Sequence, residues 1–129
     1  MKKIILIGAG GHCKSCIDVI EEEKKFKIIG IIDNLRKKSI FGYPVIGKDK
    51  DLFKLRKMTK HAFITVGQIK SSNSRRKIFA KLKNFKFNLP VIVSPRSHVS
   101  RRAKIASGTI VPHDVCINSK KKKKNRKKL

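Results

Sequence analysis

Residues 3–12, KIILIGAGGH, decide how this chain is read. Ile4 to Ile7 form an unbroken apolar run closed by Gly8. A short run with no polar alternation fits a strand buried on both faces, as in a parallel sheet. The turn Gly8-Ala9-Gly10-Gly11-His12 follows, and from His12 to Lys25 the period changes. Cys13, Cys16, Ile17 and Ile20 fall at i, i+3, i+4 and i+7, ahead of Glu21, Glu22, Glu23 and Lys24. That spacing predicts an amphipathic helix. Lys27 to Asp33 (KIIGIID) reads as a second buried strand that ends in an acid. Strand, glycine turn, helix and strand together imply two parallel strands joined by a right-handed crossover.

Outward from that unit, Asn34 to Phe41 is a basic loop, and GYPVIG at 42–47 is a turn leading into a short third strand. Lys50 to Lys57 suits a short helix, and His61 to Gly67 (HAFITVG) a further buried strand. Ser71 to Asn84 reads as helix, with Ile78, Phe79, Leu82 and Phe85 on one face. Pro90 to Val93 (PVIV) is expected to be the last strand of the sheet.

Past Ser94-Pro95 the period changes again. Val99, Ile105, Val111 and Ile117 are six residues apart, and Ala103, Thr109 and Val115 stand two before the last three. A hexapeptide repeat with one aliphatic anchor predicts a parallel β-helix, each repeat forming one flat side of a triangular coil. The pattern stops at Lys120. Lys120 to Leu129 (KKKKKNRKKL) has no anchor at position 123, and like charges in a row favour disorder. The expected architecture is α/β: a Rossmann-like parallel sheet with flanking helices over 1–94, an incomplete β-helix over 95–119, and a disordered Lys-rich tail over 120–129.

The net charge is +26, from 34 basic and 8 acidic side chains. Eight of those charges come from the tail, but lysine is spread over every segment. Such a field attracts phosphates and binds polyanions non-specifically. With seven Phe, one Tyr and no Trp, a base-stacking surface for dedicated nucleic-acid binding has little to draw on. The run Ile4 to Ile7 is too short for a signal peptide or a membrane span, so a soluble, cytoplasmic protein with no membrane partner is expected. Three cysteines without secretory context read as reduced thiols. Cys13 and Cys16 have a Cys-x-x-Cys spacing, but they sit inside the helix after the glycine turn. Small residues there pack helix on sheet, and no second ligand pair follows for a metal.

The glycine turn carries the candidate chemistry. Gly8, Gly10 and Gly11 let backbone approach a phosphate, and the helix start behind them offers free N–H groups and a positive dipole end. His12 stands where it reaches a phosphate or sugar oxygen. Cys13 occupies the place where a dinucleotide fingerprint has a third glycine or alanine. Asp33, 25 residues after Gly8, is placed for a ribose hydroxyl or a base edge. Gly67 and Gln68 close the fourth strand at the same sheet edge. His113-Asp114 has the form of a carboxylate-oriented base, but it falls in an early coil and reads as a turn histidine; His61 and His98 are left as structural. No catalytic residue and no metal ligand is assigned.

Three features in order are specific: KIILIGAGGH with Cys16-Ile17-Asp18 on its helix, a second strand ending IID, and the closing hexapeptide repeat. This set resembles the bacterial family of sialic acid O-acetyltransferases and nucleotide-sugar N-acetyltransferases of surface-glycan synthesis, over roughly residues 1–119. VGQIK at 66–70, LPVIVSPRSHVS at 89–100 and residues 105–118 look most like the sialic-acid branch. The resemblance implies a front domain that binds a nucleotide-sugar or sialic acid acceptor. It also implies a left-handed β-helix that forms a homotrimer and holds acetyl-CoA, and a base histidine in a later coil. Arg75 resembles the family's arginine in the helix after the fourth strand. Asn34 stands where the family often has a second acid. On this reading the chain is a truncated form that binds the acceptor, is expected neither to bind acetyl-CoA nor to transfer acetyl, and trimerises poorly; a slipped reading frame in an adenine tract would account for the lysine tail. A stand-alone nucleotide-binding module and a basic nucleic-acid-binding protein are the alternatives.

Overall fold

The computed structural model describes residues 1–35, 38–66 and 72–118, with backbone only at 72–74. The lysine-rich run 120–129 lies outside the described residues, as do Gly67 and Gln68. The opening unit is as expected. Strand β1 (Lys2–Ile7), helix α1 (Gly11–Glu23) and strand β2 (Phe26–Ile32) follow in order, with β1 and β2 parallel. Lys24 caps the helix in the left-handed conformation at φ 58°, so α1 ends sooner than the periodicity suggested. A short β3 (Val45–Gly47) adds to β2, and β4 (His61–Ile64) pairs with β1, both parallel. A 3-10 turn at Asp49–Asp51 and a one-turn helix α2 (Leu52–Leu55) connect them. Helix α3 (Ser72–Asn84) follows β4. The sheet order β3-β2-β1-β4 puts β2 and β1 inside, flanked by β3 and β4.

Alternation along β1 divides the core. Ile4 and Leu6 pack with Cys13, Cys16, Ile17, Val19 and Ile20 of α1. Ile5 and Ile7 point to the other face, against Leu52 and Leu55 of α2 and Leu82 of α3. All four β1 isoleucine and leucine side chains are at most 3% exposed. In β2 the alternation breaks by one residue, because the register shifts where Ile4 and Ile5 face Ile28 and Gly30. That bulge lets Ile28 and Ile31 share a face although they are three apart.

PVIV is not the last strand of this sheet. The chain leaves the sheet at Asn88, which bridges His61: Ala62 N–H donates to Asn88 O at 3.0 Å and Asn88 N–H to Lys60 O at 2.6 Å. Pro90 has no N–H to continue the ladder. Strand β5 (Ile92–Val93) pairs instead with β7 (Ile110–Val111), and β6 (His98–Val99) with β8 (Cys116–Ile117), both parallel. Paired residues are eighteen apart in each case, which is three hexapeptides per turn of a coil. The β-helix therefore takes in Ile92 and Val93, whose expected place was the sheet. Its first turn docks on α1. Ile92 is fully buried in the α1 core cluster, the Glu23 carboxylate accepts from Val93 N–H at 3.2 Å, and Arg96 lies 3.6 Å from Glu22.

Candidate functional site

The glycine turn hangs from three strand ends. Gly8 N–H donates to Ile32 O at 2.8 Å, the Thr65 hydroxyl donates to Gly8 O at 2.7 Å, and Ala9 N–H donates to the Asp33 carboxylate at 2.9 Å. Thr65 is fully buried and its own N–H continues the ladder to Ile7 O at 2.9 Å. The turn is thus fixed by β2 on one side and by the end of β4 on the other, before any ligand is considered.

The three glycines divide by role. Gly8 has φ +120°, and a side-chain carbon there would meet the Val66 backbone nitrogen at 2.9 Å. Its requirement is structural: a close approach to the neighbouring strand in a conformation L side chains avoid. A carbon added at Gly10 or Gly11 meets nothing within 4 Å. Those two residues face open space at the start of α1, where Cys13 N–H turns back to Gly10 O at 3.0 Å and the N–H groups before it have no carbonyl of the helix to reach. No acidic residue lies in the first turn itself, and the carboxylate at this end of the helix is that of Asp33, bonded to Ala9 N–H just before the N-cap. His12 is exposed beside them.

Asp33 is half-buried, and its carboxylate serves two backbone donors, Ala9 N–H at 2.9 Å and Leu35 N–H at 3.1 Å. Asn34 is held by Asp49: its amide donates to the Asp49 carboxylate at 3.2 Å and its carbonyl accepts Asp49 N–H at 2.9 Å. A cleft of 270 Å³ opens there, lined by Asp33, Lys48, Lys50 and Asp51 among others. Another of 530 Å³ lies between Asp49 and the exposed face of α3 at Lys77 and Lys81. Arg75, in the first turn of α3, is exposed. The structure therefore brings Gly8, Gly10, Gly11, His12, Asp33 and Asn34 to one end of the sheet. Thr65, which secures that end, was missed by the sequence reading; its signal is a hydroxyl within the apolar run HAFITV.

The cysteines behave as packing residues. Cys13 and Cys16 are fully buried. Burial pushes the Cys16 thiol up to about 12, with Cys13 adding and Arg75 opposing. Burial also raises Cys13, partly offset by a hydrogen bond with Thr65. Neither is a thiolate near neutral pH, and a disulfide-exchange role needs one. Among the described residues no group of three or more His, Cys, Asp or Glu side chains is placed to hold a metal ion. His113 is tied into the corner of the coil through Nδ1 and the buried Ser94 hydroxyl, which also accepts Arg96 N–H at 3.0 Å. It borders a cleft of 630 Å³ with Asp18, Glu21, Glu22, Lys24 and Arg96, towards the opposite end of α1 from the glycine turn. Among the described residues no helix is long and apolar enough to cross a membrane.

Comparison with known proteins agrees with the fold. The sequence model of the PglD N-terminal domain family matches residues 3–82. A variant of perosamine N-acetyltransferase from Caulobacter crescentus, solved with CoA and GDP-perosamine, superposes with a TM-score of 0.83 at 27% identity over 92% of this chain. The acetyltransferase domain of PglB from Neisseria gonorrhoeae, solved with acetyl coenzyme A, gives 0.77 at 28% identity, also over 92%. The chain spans 55% and 60% of the length of those two solved chains. A Rex-family repressor gives 0.51 at 18% identity over 88% of this chain and 52% of its own, a likeness of fold alone. No curated protein matches the chain.

Proposed function

The chain belongs to the PglD N-terminal domain family, and from that premise we propose that its sheet end binds the nucleotide-sugar acceptor of a sugar acetyltransferase. The observation that carries this is the division among the glycines. Gly8 is needed for the fold, whereas Gly10 and Gly11 are open at the helix start. Backbone N–H groups of that start would hold the diphosphate. His12 would reach a phosphate or sugar oxygen, Asp33 would accept a ribose hydroxyl or base donor, and Asn34 would present its amide beside it. Arg75 would add charge from α3, and Gly67 and Gln68 keep the role the sequence suggested for them. The solved relatives hold GDP-perosamine, CoA and acetyl coenzyme A, which supports a nucleotide sugar as acceptor and acetyl-CoA as donor. A sialic acid acceptor belongs to the same reading, with acetyl-CoA the family's donor rather than a ligand of the residues named here.

In the transfer itself, acetyl-CoA supplies the acyl group when bound. The residues described contribute acceptor binding and orientation. The Ser94 bond gives His113 a packing role in the coil corner, so it is not assigned as the base. Heat unfolding with UDP- and GDP-amino sugars tests the assignment, because a ligand bound only by the native state raises Tm. A saturable rise with a nucleotide sugar, absent with the free sugar, is expected; no rise with any nucleotide would overturn it.

A further inference from the structure

The loop between β2 and β3 ends in a two-residue hairpin. Ile40 and Tyr43 exchange N–H···O bonds at 2.9 Å in both directions. The turn residues are Phe41 at φ 50° and Gly42 at φ 86°. Positive φ at both positions is the signature of a tight hairpin turn that favours Asn, Asp or Gly first. Phenylalanine is disfavoured there. Phe41 is nevertheless 57% exposed. Disfavoured backbone at an exposed aromatic is the kind of feature that gathers at ligand clamps.

The hairpin itself is well anchored. Ile40 and Tyr43 pack against the α1 core cluster, and the Tyr43 hydroxyl donates to the Glu21 carboxylate of α1. At the tip, Lys14, one turn into α1 from the glycine turn, holds its Nζ 5.7 Å from the Phe41 ring centroid. At the start of the same loop, Leu35 is 90% exposed and is tied through its N–H to Asp33. A planar apolar ring with an ammonium group over one face and more than half of the residue exposed complements a ligand that joins a flat base to phosphates.

We propose that Phe41 is the stacking platform for the nucleobase, with Lys14 beside it pairing with phosphate. This rests on the nucleotide reading above and adds a residue to that site. Stacking of one base on an aromatic ring is removed by substitution with loss of about tenfold or more in affinity. Phe41→Asn keeps a residue that tolerates positive φ. Phe41→Trp introduces the sole tryptophan of the chain.

The test is calorimetric titration of the 129-residue chain with UDP, GDP and inorganic pyrophosphate. The expected results for Phe41→Asn are an unchanged or higher Tm, UDP affinity about tenfold weaker, and pyrophosphate affinity unchanged. In Phe41→Trp, UDP should quench the tryptophan fluorescence and pyrophosphate should not. Undiminished UDP affinity in Phe41→Asn, or bound UDP with no quenching in Phe41→Trp, would overturn the stacking role. So would a change confined to self-association, which would mark the ring as a contact between copies. If the wild-type chain binds neither UDP nor GDP, the nucleotide reading falls and the stacking role with it.

Discussion

The sheet and the coil are built from similar aliphatic residues, yet they bury them differently. Ile4, Ile5, Leu6, Ile17 and Ile20 are at most 1% exposed, enclosed by helices supplied from the same stretch of chain. In the coil, Val111 is 2% exposed, whereas Val93, Val99, Ile105 and Ile117 are only half-buried. A β-α-β unit covers its own apolar strands. A coil rung is covered by the rung stacked on it, and stability in such arrays is a sum over neighbours. The coil described here has one set of stacked strands, and its firmest attachment is to α1, through Ile92, Glu22 and Glu23.

That contrast predicts a gradient of mutational cost. Ile17→Ala, in the sealed interface between α1 and the sheet, should destabilise by about 3 kcal/mol. Chemical denaturation measures it, and a loss under about 1 kcal/mol would mean the sheet core is not the organising unit. Thr65→Val removes the bond to Gly8 O while keeping shape. It should cost about 1–2 kcal/mol, since a buried carbonyl loses its donor. Nucleotide affinity should fall with it, because the turn is no longer held from β4. Ile117→Ala, on the half-buried rung, should cost about 1 kcal/mol or less. A larger loss would show that the coil carries more of the fold than its burial indicates.

pH sharpens the same contrast, because the groups with raised or lowered pKa lie in the sheet half. Cys16 is raised from 9.0 to about 12, so the native state keeps its proton where the unfolded chain has lost it. Stability from this source is complete below pH 9.0 and is lost as pH climbs towards 12. Burial first, then Lys2, Lys60 and Arg56, lowers His61 from 6.5, and the Asn88 amide lies 3.1 Å from its Nδ1. Its contribution is present above pH 6.5 and is lost as pH falls through the native value. Thermal unfolding from pH 5 to 11 should show both flanks, and His61→Gln should flatten the acid one. At pH 8 a thiol reagent should modify the exposed Cys116 quickly, with Cys13 and Cys16 protected until unfolding.

The opening unit was legible because one signal, a change of apolar period at Gly8, fixes strand, turn and helix together. The coil was legible from its anchors, but its beginning was not. Val93 is itself six residues before Val99, yet PVIV also satisfies the composition of a buried sheet strand. Only the backbone pairing with Ile110 and Val111 separates the two. At the site, the sequence located the glycine turn and Asp33 but could not distinguish Gly8 from Gly10 and Gly11. That distinction depends on Val66, which is 58 residues away from Gly8. Thr65 was hidden because a hydroxyl donating to a backbone carbonyl leaves no periodic trace. Phe41 read as part of a basic loop because its backbone conformation is set by the hairpin closing around it.

A ligand held at the helix start must pass close to Gly11, and Gly11→Ala alters that spot alone. A methyl group there meets nothing within 4 Å beyond its own chain neighbours and helix backbone, so the variant should fold with unchanged or slightly higher Tm. Calorimetry with a nucleotide sugar should then show saturable binding to the wild-type chain and affinity at least about tenfold weaker in Gly11→Ala, since the methyl group stands where a phosphate must approach. Equal affinity in the two proteins would contradict the assignment.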